Sequence, residues 1–502
     1  MIVTTSTLTA KTAEPAIWPA TQHPQRRQDH YAAGRIDETV TDLQTGFNGA
    51  GGNSAFSSAD KLNPADWASR TDLVEALMAT KQYLVARPLL QELLEERPQD
   101  GQIQHQLGKV CFELNETGSA IQHFEQAIVL NPNDADSRYW IGGIKQKMGY
   151  IEAAQAAYAE AAQIRPLIRH HAIKTPSDFR LLALYAPFSG NTPTQCLFKD
   201  ATYDIDTLAF FGPSEPDISS LGDFHVVVNL ISDADQAEAM LSAALGLAEK
   251  LGKPIVNDPG KILRTTRDKV ADLLFGIPAC RVPRILRLDA GIDVSAATIA
   301  ALVPFAFPVL ARPAGTHGGD DFEKIESFDE LARFLAQRPG ADHYVIEYVD
   351  YASGDGHFRK YRFIFVGEEI LPYHLAIGND WKVHHISTDM ANQPWMQHEE
   401  AAFLADPTAV FNSAHYQALG VIRERIELDY FGVDCGLDSE GDLVVFEANA
   451  SMLVHDENAN FSYKDPFVRV IKATFDAMLR NRAGCNQQPA HAAFGRAALA
   501  GC

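Results

Sequence analysis

Three oxygen-bearing side chains near the C-terminal end of the sequence have the types and spacing of a metal site. Asp434 lies in one apolar run, and Glu447 and Asn449 close the next one. The segment between the runs, 438–441, reads Asp-Ser-Glu-Gly and has the composition of a tight turn, which predicts a β-hairpin. Residues two apart on a strand point to the same face, so Glu447 and Asn449 are expected to lie together. Carboxylate and amide oxygens suit a hard cation that also binds the phosphates of a substrate.

The hairpin resembles the metal-binding hairpin of the ATP-grasp ligases, which include glutathione synthetase and D-alanine:D-alanine ligase. The resemblance is carried by the thirteen-residue interval from Asp434 to Glu447, followed by Glu-x-Asn. An acidic hairpin whose charges merely face water is the alternative, but the order of the other motifs favours the resemblance. It covers roughly residues 175–480. It implies ATP and Mg²⁺ as cofactors, with room for two ions or for Mn²⁺ in place of Mg²⁺, and Asp434, Glu447 and Asn449 as metal ligands.

Basic residues and glycines upstream of the hairpin are candidates for binding the nucleotide phosphates. Lys269 lies on a predicted helix at the position where the resemblance implies a Lys near the phosphates; the alternative is a surface Lys on an amphipathic helix. An apolar strand ends at Arg312, and backbone N–H groups of the glycine-rich loop that follows can approach phosphate oxygens closely. The candidate residues of this loop are Gly315, Gly318 and Gly319. The family normally has Lys where Arg312 stands, and a planar guanidinium pairs with phosphate in a different geometry.

Two further segments extend the resemblance. The predicted strand 344–349 carries Glu347 and resembles the hinge whose backbone contacts adenine, so Glu347 and Asp350 are the candidates on the adenosine side. A role for Glu347 as one polar member of a half-buried strand stays open. Segment 359–370 predicts a strand, a glycine turn and a second strand. Arg362 lies there, where the family presents an Arg to phosphate or acyl phosphate. Arg362 and Arg312 are therefore the predicted catalytic residues.

An internal repeat of 34 residues occupies the region before this part of the chain. Prolines, alanines and large apolar residues recur at that interval: Pro98, Pro132 and Pro166; Ala86, Ala120 and Ala154; Leu90, Phe124 and Tyr158. The pattern predicts pairs of helices and resembles the tetratricopeptide repeat, here in three copies. The first copy has Val74 where a small Gly is usual. The concave face of such repeats usually binds a peptide or protein, and a structural or dimerising role stays open.

The sequence predicts a multidomain protein, an α-helical tetratricopeptide repeat solenoid followed by an α/β pre-ATP-grasp domain and an α+β ATP-grasp fold. Strand, helix and strand patterns between residues 180 and 256 predict a small parallel sheet covered by helices. The predicted parts are a disordered segment 1–62, the repeats 63–170, a substrate domain 175–257, the nucleotide-binding and catalytic domain 258–482, and a disordered tail 483–502.

The composition limits the classes of partner. A formal charge of −22 argues against nucleic acid, because binding to phosphate backbones needs clustered Lys and Arg. The six cysteines are scattered without a C-x-x-C pair, which favours reduced thiols over disulfides or a zinc site. No run of about 18 apolar residues occurs. The expected location is cytoplasmic with no membrane partner, and the sequence leaves the oligomeric state open, including a homo-oligomer.

Taken together, these features predict an ATP- and Mg²⁺-dependent ligase that forms a C–N bond. In this chemistry ATP phosphorylates a carboxylate, ADP leaves, and an amine or related nucleophile displaces phosphate from the acyl phosphate. The repeats would recruit a peptide or protein substrate. The alternative is a non-catalytic nucleotide-binding scaffold built on the repeats, for which Arg312 in place of Lys is the best support. The sequence identifies neither the acyl donor nor the amine.

Overall fold

The computed structural model describes residues 67–485 apart from 189, 212–215, 217, 220, 317–318, 320, 385–387, 457 and 459. The predicted disordered segment 1–62 and residues 486–502 of the predicted tail lie outside the described residues. The chain divides into two compact units, and the boundary falls between Pro166 and Leu167. Each unit has its own buried clusters of apolar side chains.

The described part of the first unit is entirely helical. Its helices are α1 (Trp67–Ala79), α2 (Tyr83–Glu96), α3 (Gly101–Glu113), α4 (Thr117–Leu130), α5 (Ala135–Lys147) and α6 (Ile151–Ile164). They pack as three consecutive hairpins, and each hairpin also contacts the next. The Asp side chains that precede α3 and α5 accept hydrogen bonds from the first turn, which fixes where these helices begin. The predicted repeat of helix pairs is therefore present.

Within the hairpins, one residue of the first helix faces one residue of the second, and the size of one side chain limits the size of the other. A Cβ on Gly108 would lie 2.7 Å from the ring of Phe124, and a Cβ on Gly142 would lie 2.7 Å from the ring of Tyr158. In the first hairpin the corresponding residues are Val74 and Leu90, which are buried in one cluster. The larger Val74 is thus matched by a smaller partner, and all three hairpins keep the same packing.

The second unit contains the strands and the remaining helices. Its strands are β1 (Leu167–His170), β2 (Arg180–Tyr185), β3 (Asp204–Ala209), β4 (Val226–Asn229), β5 (Ile255–Val256), β6 (Cys280–Arg281), β7 (Ile285–Leu288), β8 (Val309–Pro313), β9 (Glu323–Ile325), β10 (His343–Glu347), β11 (Phe358–Val366), β12 (Glu369–Gly378), β13 (Tyr430–Leu437) and β14 (Leu443–Asn449). Its helices are α7 (Glu238–Leu251), α8 (Pro259–Ile262), α9 (Arg267–Leu274), α10 (Ala296–Leu302), α11 (Phe328–Ala336), α12 (Pro394–Ala405), α13 (Ser413–Ile426) and α14 (Asp465–Arg482).

These strands form three sheets. The first has the order β1-β3-β2-β4-β5 and is parallel except for β1, which pairs antiparallel with β3. The sequence predicted the parallel part but not β1. This short strand is charged, and its Arg169 pairs with Asp206 on β3, a contact that only the fold brings about.

The other two sheets are mainly antiparallel. The second sheet has the order β7-β10-β8-β9, and one of its faces packs into an apolar cluster with α10 and α11. The third has the order β12-β11-β13-β14-β6, in which only β6 runs parallel to its neighbour. Helices α12 and α13 supply Phe403, Leu419 and Ile422 to the large cluster against this sheet.

A buried ionic cluster ties the edge strand β12 to its surroundings. Glu400 on α12 is fully buried and lies 2.5 Å from Nδ1 of His374 on β12. Its carboxylate also accepts a hydrogen bond from Tyr463 at 2.6 Å and pairs with Lys464 at 3.3 Å. Burial raises the pKa of Glu400, but these partners outweigh burial and hold the pKa at about 2. Glu400 is therefore an anion at neutral pH, and both of its carboxylate oxygens have partners.

Two observations concern the membrane and the redox state of the cysteines. Among the described helices none has the length and apolar composition that crossing a membrane requires. The described cysteines are all free thiols. Neither finding tests the predicted cytoplasmic location, which stays a prediction.

Candidate functional site

A bulge in the hairpin β13–β14 brings the two predicted metal-binding carboxylates together. Next to the turn the register is regular, with Leu437 opposite Leu443 and Cys435 opposite Val445. The register then shifts by one residue, so that Asp434 lies opposite Glu447. Without this shift Asp434 would face Phe446. The bulge therefore aims Val445 into the core and Glu447 to the face that carries Asp434.

Phe446 is the extra residue of the bulge. Its ring packs against Tyr351, in space that is open because Gly436 has no side chain. The Phe446 and Tyr351 ring centroids are 4.6 Å apart. A Cβ on Gly436 would lie 2.9 Å from the ring of Phe446 and 3.0 Å from that of Tyr351. Gly436 thus leaves the space that the bulge needs.

A cleft lies beside this hairpin, with about 630 Å³ of open space, including the part that opens to solvent. The loop after β4, the start of α9, strands β7 and β10, and the end of β14 line it. Its apolar lining includes Val270, Val282, Ile285, Ile346 and Phe446. Its polar lining includes Ser232, Asp233, Asp235, Arg267, Glu447 and Asn449. A cleft with apolar walls and a few convergent polar groups has the composition of a small-molecule site.

The second sheet presents polar side chains on the face that lines the cleft. Ile285 and Ile346 line the cleft, and Arg287 and Tyr344 lie two residues away on the same strands, hence on the same face. Arg312 on β8 lies opposite Tyr344, so it belongs to this face as well. The opposite face packs into the apolar cluster with α10 and α11. Arg312 is thus on the same face of the sheet as the residues that line the cleft, although it is not among them, and its role in phosphate binding stays a prediction.

Asp434 is almost fully buried and is neutralised by two basic side chains of β11. Arg362 donates from Nε and Nη2 to the two carboxylate oxygens at 2.6 and 2.9 Å. Lys360 lies 3.1 Å from Oδ2. Burial alone raises the pKa of Asp434, but the charges of Arg362 and Lys360 outweigh burial and hold the pKa well below its ordinary value. Asp434 is therefore an anion at neutral pH.

Glu447 binds Arg267, a residue that the sequence analysis did not select. The Arg267 guanidinium donates to Oε1 of Glu447 at 2.7 Å, and Nδ2 of Asn449 donates to the same oxygen at 2.7 Å. Lys269, the predicted phosphate-binding residue on the same helix, donates to the carbonyl of Leu263 at 3.1 Å and is not among the residues that line the cleft. The basic side chain that α9 contributes to the cleft is thus that of Arg267.

Arg312 is buried and bound to the start of the glycine-rich loop. It donates to the hydroxyl and to the carbonyl of Thr316, and its guanidinium lies 5.2 Å from the ring centroid of Phe322. Gly315 and Gly319 have positive φ, at 71° and 84°, which favours glycine at both positions. Gly318 lies outside the described residues. The side-chain amide of Gln236, which lies just before α7, donates to the carbonyl of Gly315 and so also fixes the loop.

The two predicted adenosine-side residues lie at or beyond the rim of the cleft. Glu347 follows Ile346 at the end of β10 and accepts a hydrogen bond from Nε of Arg284 at 3.2 Å. Burial raises the pKa of Glu347, but the hydrogen bonds and charge of Arg284 outweigh it and lower the pKa. Asp350 is exposed and accepts a hydrogen bond from the backbone N–H of Ala352 at 3.0 Å. Neither residue is among those that line the cleft.

The donor set of the hairpin fits Mg²⁺ in kind. Across the described residues, no group of three or more His, Cys, Asp or Glu side chains is placed to hold a metal ion. The candidate set consists instead of the carboxylates of Asp434 and Glu447 and the amide oxygen of Asn449, all hard oxygen donors. Each of these three side chains already accepts at least one hydrogen bond within the protein: both oxygens of Asp434, Oε1 of Glu447 and Oδ1 of Asn449 are acceptors. A cation would have to replace some of these contacts.

The first unit matches family models for the repeat. A model described as TPR repeat matches residues 108–149, and a model described as tetratricopeptide repeat matches residues 135–166. The chain therefore carries tetratricopeptide repeats. No curated protein sequence matches the chain significantly.

Solved structures similar to this chain include two ligases that act on D-alanine and one ATP-grasp protein. The D-alanine–D-alanine ligase of Bacillus anthracis is 14% identical, with a TM-score of 0.41, and the match covers 61% of this chain and 100% of that one. The VanG D-Ala:D-Ser ligase of Enterococcus faecalis is 14% identical, with a TM-score of 0.37 and coverage of 61% and 99%. A RimK-domain ATP-grasp protein of Sphaerobacter thermophilus is 16% identical, with a TM-score of 0.34 and coverage of 58% and 99%. At this level of similarity the matches assign no activity to this chain.

Proposed function

We propose that this protein is an ATP- and Mg²⁺-dependent ligase that joins a carboxylate to an amine and releases ADP and phosphate. The observation that carries the proposal is the pairing of Asp434 with Glu447 across the bulged hairpin, with Asn449 beside them at the cleft. A plain acidic hairpin would need neither the bulge nor the buried ion pair of Asp434 with Arg362. We further propose the part boundaries that the sequence predicted, with residues 258–482 as the catalytic part.

The cleft offers separate surroundings for the two ends of a nucleotide. Val282, Ile346 and Phe446 form apolar walls that suit a flat base. Arg267 lies among the polar groups of the lining and pairs with Glu447. Lys360 and Arg362 pair with Asp434, which lies opposite Glu447. Basic side chains there would offset the charge of the phosphates. In this proposal Arg312 and the glycine-rich loop contribute from the second sheet.

The proposed reaction has two steps. In the first, a carboxylate oxygen of the substrate attacks the γ-phosphorus of ATP, and the bond to the β-phosphate oxygen breaks, so that ADP leaves. In the second, the amine attacks the acyl carbon, a C–N bond forms, phosphate leaves with the electrons of the C–O bond, and the nitrogen loses a proton. Mg²⁺ held by Asp434, Glu447 and Asn449 would supply charge neutralisation on the phosphates. The task of the protein is positioning and charge stabilisation, and no nucleophilic side chain is required.

The repeats are proposed to recruit a peptide or protein substrate. Three helical hairpins are about the smallest array that forms a continuous surface of this kind. Deleting them should raise the KM for a macromolecular substrate without changing the kcat for a small surrogate. An unchanged KM would indicate a structural or dimerising role.

Incubation of the purified protein with ATP, Mg²⁺ and a panel of amino acids and peptides tests the ligase activity. We expect release of ADP and phosphate only when both a carboxylate and an amine are present, together with a product whose mass equals the two substrates minus water. Release of AMP and pyrophosphate would instead indicate adenylation and contradict the proposal.

A non-catalytic scaffold is the second candidate, and the state of Arg312 favours it. The Arg312 guanidinium is already bound by Thr316, which leaves it fewer donors for phosphate. A scaffold of this kind would bind a nucleotide without turnover. If Glu447→Gln abolished turnover but left the cellular phenotype intact, the scaffold would be the better description.

A further inference from the structure

Three basic side chains face the two carboxylates of the hairpin. Arg362 and Lys360 hold Asp434, and Arg267 holds Glu447. These five side chains together carry a net charge of +1, and Asp233 and Asp235 also line the cleft. A divalent cation that arrived alone would be repelled by the three basic side chains and would have to displace them from the oxygens it needs.

The two ion pairs differ in their capacity to exchange partners. Asp434 is 2% exposed and is paired bidentately by a side chain of the neighbouring strand in its own sheet. Arg267 comes from a different element, α9, and both it and Glu447 line the cleft. The side chain of Glu447 is 26% exposed. A ligand in the cleft can therefore reach the Arg267–Glu447 pair more readily than the Arg362–Asp434 pair.

A triphosphate would give Arg267 a new partner. Guanidinium groups pair with phosphate oxygens bidentately, and such charge-assisted contacts are roughly twice as strong as neutral hydrogen bonds. Release of Glu447 by Arg267 would then free the carboxylate for a cation that the phosphates bring with them. The negative charge of the phosphates would also reduce the repulsion between the arriving cation and the three basic side chains.

We infer that Arg267 acts as a counter-ion for Glu447 while the nucleotide is absent and moves to the phosphates when it binds, so that metal and nucleotide enter together. This inference rests on the proposed function. It assigns Arg267 the role of a positioning residue that controls when Glu447 is available to the metal.

The affinity of the protein for Mn²⁺ tests the inference without any turnover. It is measured from the electron paramagnetic resonance signal of the free ion. After subtraction of the Mn²⁺ that a non-hydrolysable ATP analogue chelates in a protein-free control, wild-type protein should bind Mn²⁺ alone at least about tenfold more weakly than in the presence of the analogue. Arg267→Gln should bind Mn²⁺ alone about tenfold more tightly than wild type, because one competing cation is gone, and should bind the analogue more weakly.

Two control variants make the result specific. Arg264→Gln removes an Arg–Glu pair of similar length, 2.8 Å, at an exposed position on Glu427, and should behave like wild type. Arg267→Lys keeps the positive charge and should also leave the binding of Mn²⁺ alone as weak as in wild type. Thermal unfolding of each variant in the absence of ligands checks that the fold is intact.

The outcomes separate this inference from the proposed function. If Mn²⁺ alone bound wild type as tightly as with the analogue, or bound Arg267→Gln no more tightly than wild type, the counter-ion role would be wrong while nucleotide binding would still stand. If Arg267→Lys gained Mn²⁺ affinity as Arg267→Gln does, charge would not be the cause and the inference would also be wrong. If the analogue bound none of the proteins, the proposed function would be overturned and this inference with it.

Discussion

A buried carboxylate is stable as an anion only if its neighbours compensate for the lost hydration, and Asp434 and Glu400 meet this condition in different ways. Asp434 is paired with cations next to the cleft, so a ligand there can influence it. Glu400 is enclosed by His374, Tyr463 and Lys464 and is fully buried. The first carboxylate belongs to the candidate site, and the second stabilises the edge of the sheet that carries it.

Replacing Glu447 by Gln should abolish most of the proposed ATP turnover while leaving the fold unchanged. The amide keeps the shape but removes the charge that a cation needs, and we expect kcat to fall about 100-fold or more. ADP release in the presence of both substrates is the measurement. Glu440→Gln, an identical change at an exposed position in the turn of the same hairpin, serves as the control and should keep full activity. Equal activity of the two variants would show that Glu447 has no part in catalysis.

Replacing Glu400 by Gln should destabilise the protein at neutral pH by about 3 kcal/mol, because Lys464 would be left buried without its anion. The pKa of Glu400 is lowered from 4.5 to about 2 in the fold, so its contribution to stability is complete above pH 4.5 and is lost as the pH falls toward 2. Urea unfolding of both proteins at several pH values measures this. The stability difference between wild type and variant should shrink over that interval, and a difference independent of pH would contradict the assignment.

The residues of the hairpin could be selected from the sequence because their spacing is local, whereas their cationic partners come from distant segments. Arg267 had a signal that was available. Val270, Ala271 and Leu274 are the buried residues of α9, and Arg267 lies three, four and seven positions before them, on the same helical face. Lys269 lies off this face. Lys360 and Glu400 had no comparable local signal, since their partners are 74 and 26 positions away along the chain.

At the scale of single elements, the hairpin depends on one irregularity. The sequence predicted two strands and the turn between them, and these are present as β13 and β14. It did not predict the bulge at Phe446, because residues 443–446 are all apolar and show no alternation that a one-residue shift would interrupt. Its cause is spatial: Gly436 on the partner strand and Tyr351 from a distant segment provide the space and the contact for the Phe446 ring.

Replacing Gly436 by Ala should therefore affect both the stability and the cleft. The added methyl group would press on the rings of Phe446 and Tyr351, and we expect a loss of about 2 kcal/mol in unfolding free energy. The Kd for an ATP analogue should rise, because Phe446 forms part of the cleft wall. Gly354→Ala is the matched control, since a Cβ there would meet nothing within 4 Å. An unchanged Kd for Gly436→Ala would show that the wall does not contact the nucleotide.

At the scale of the whole molecule, two different sequence patterns predicted the helical first unit and the sheets of the second unit. The 34-residue repeat predicted the helical hairpins, and the change to alternating apolar runs predicted the sheets. What the sequence left undecided is how the separate strand patterns divide into three sheets. That division depends on pairings between strands far apart in the chain, such as β14 with β6, which no local pattern specifies.

Nucleotide binding should protect the second unit and leave the repeats unaffected. All the residues that line the cleft belong to the second unit. A ligand at 100 times its Kd stabilises the part that binds it by about 2.7 kcal/mol. Hydrogen exchange with and without an ATP analogue and Mg²⁺ should therefore slow in α9 and β14 and remain the same in α1–α6. Equal slowing in the helices of the first unit would show that the two units respond to the ligand together.

The matching of side-chain sizes at paired positions in the hairpins has a practical consequence for engineering new repeat proteins. The ring of Phe124 leaves room only for glycine at position 108, whereas Val74 is accommodated by the smaller Leu90. A chimera that grafts α1 in front of α4 would put Val against Phe and overfill the interior, and the reverse graft would leave a void. Modules of this protein should therefore be transplanted as intact helix pairs, with the cut placed between hairpins.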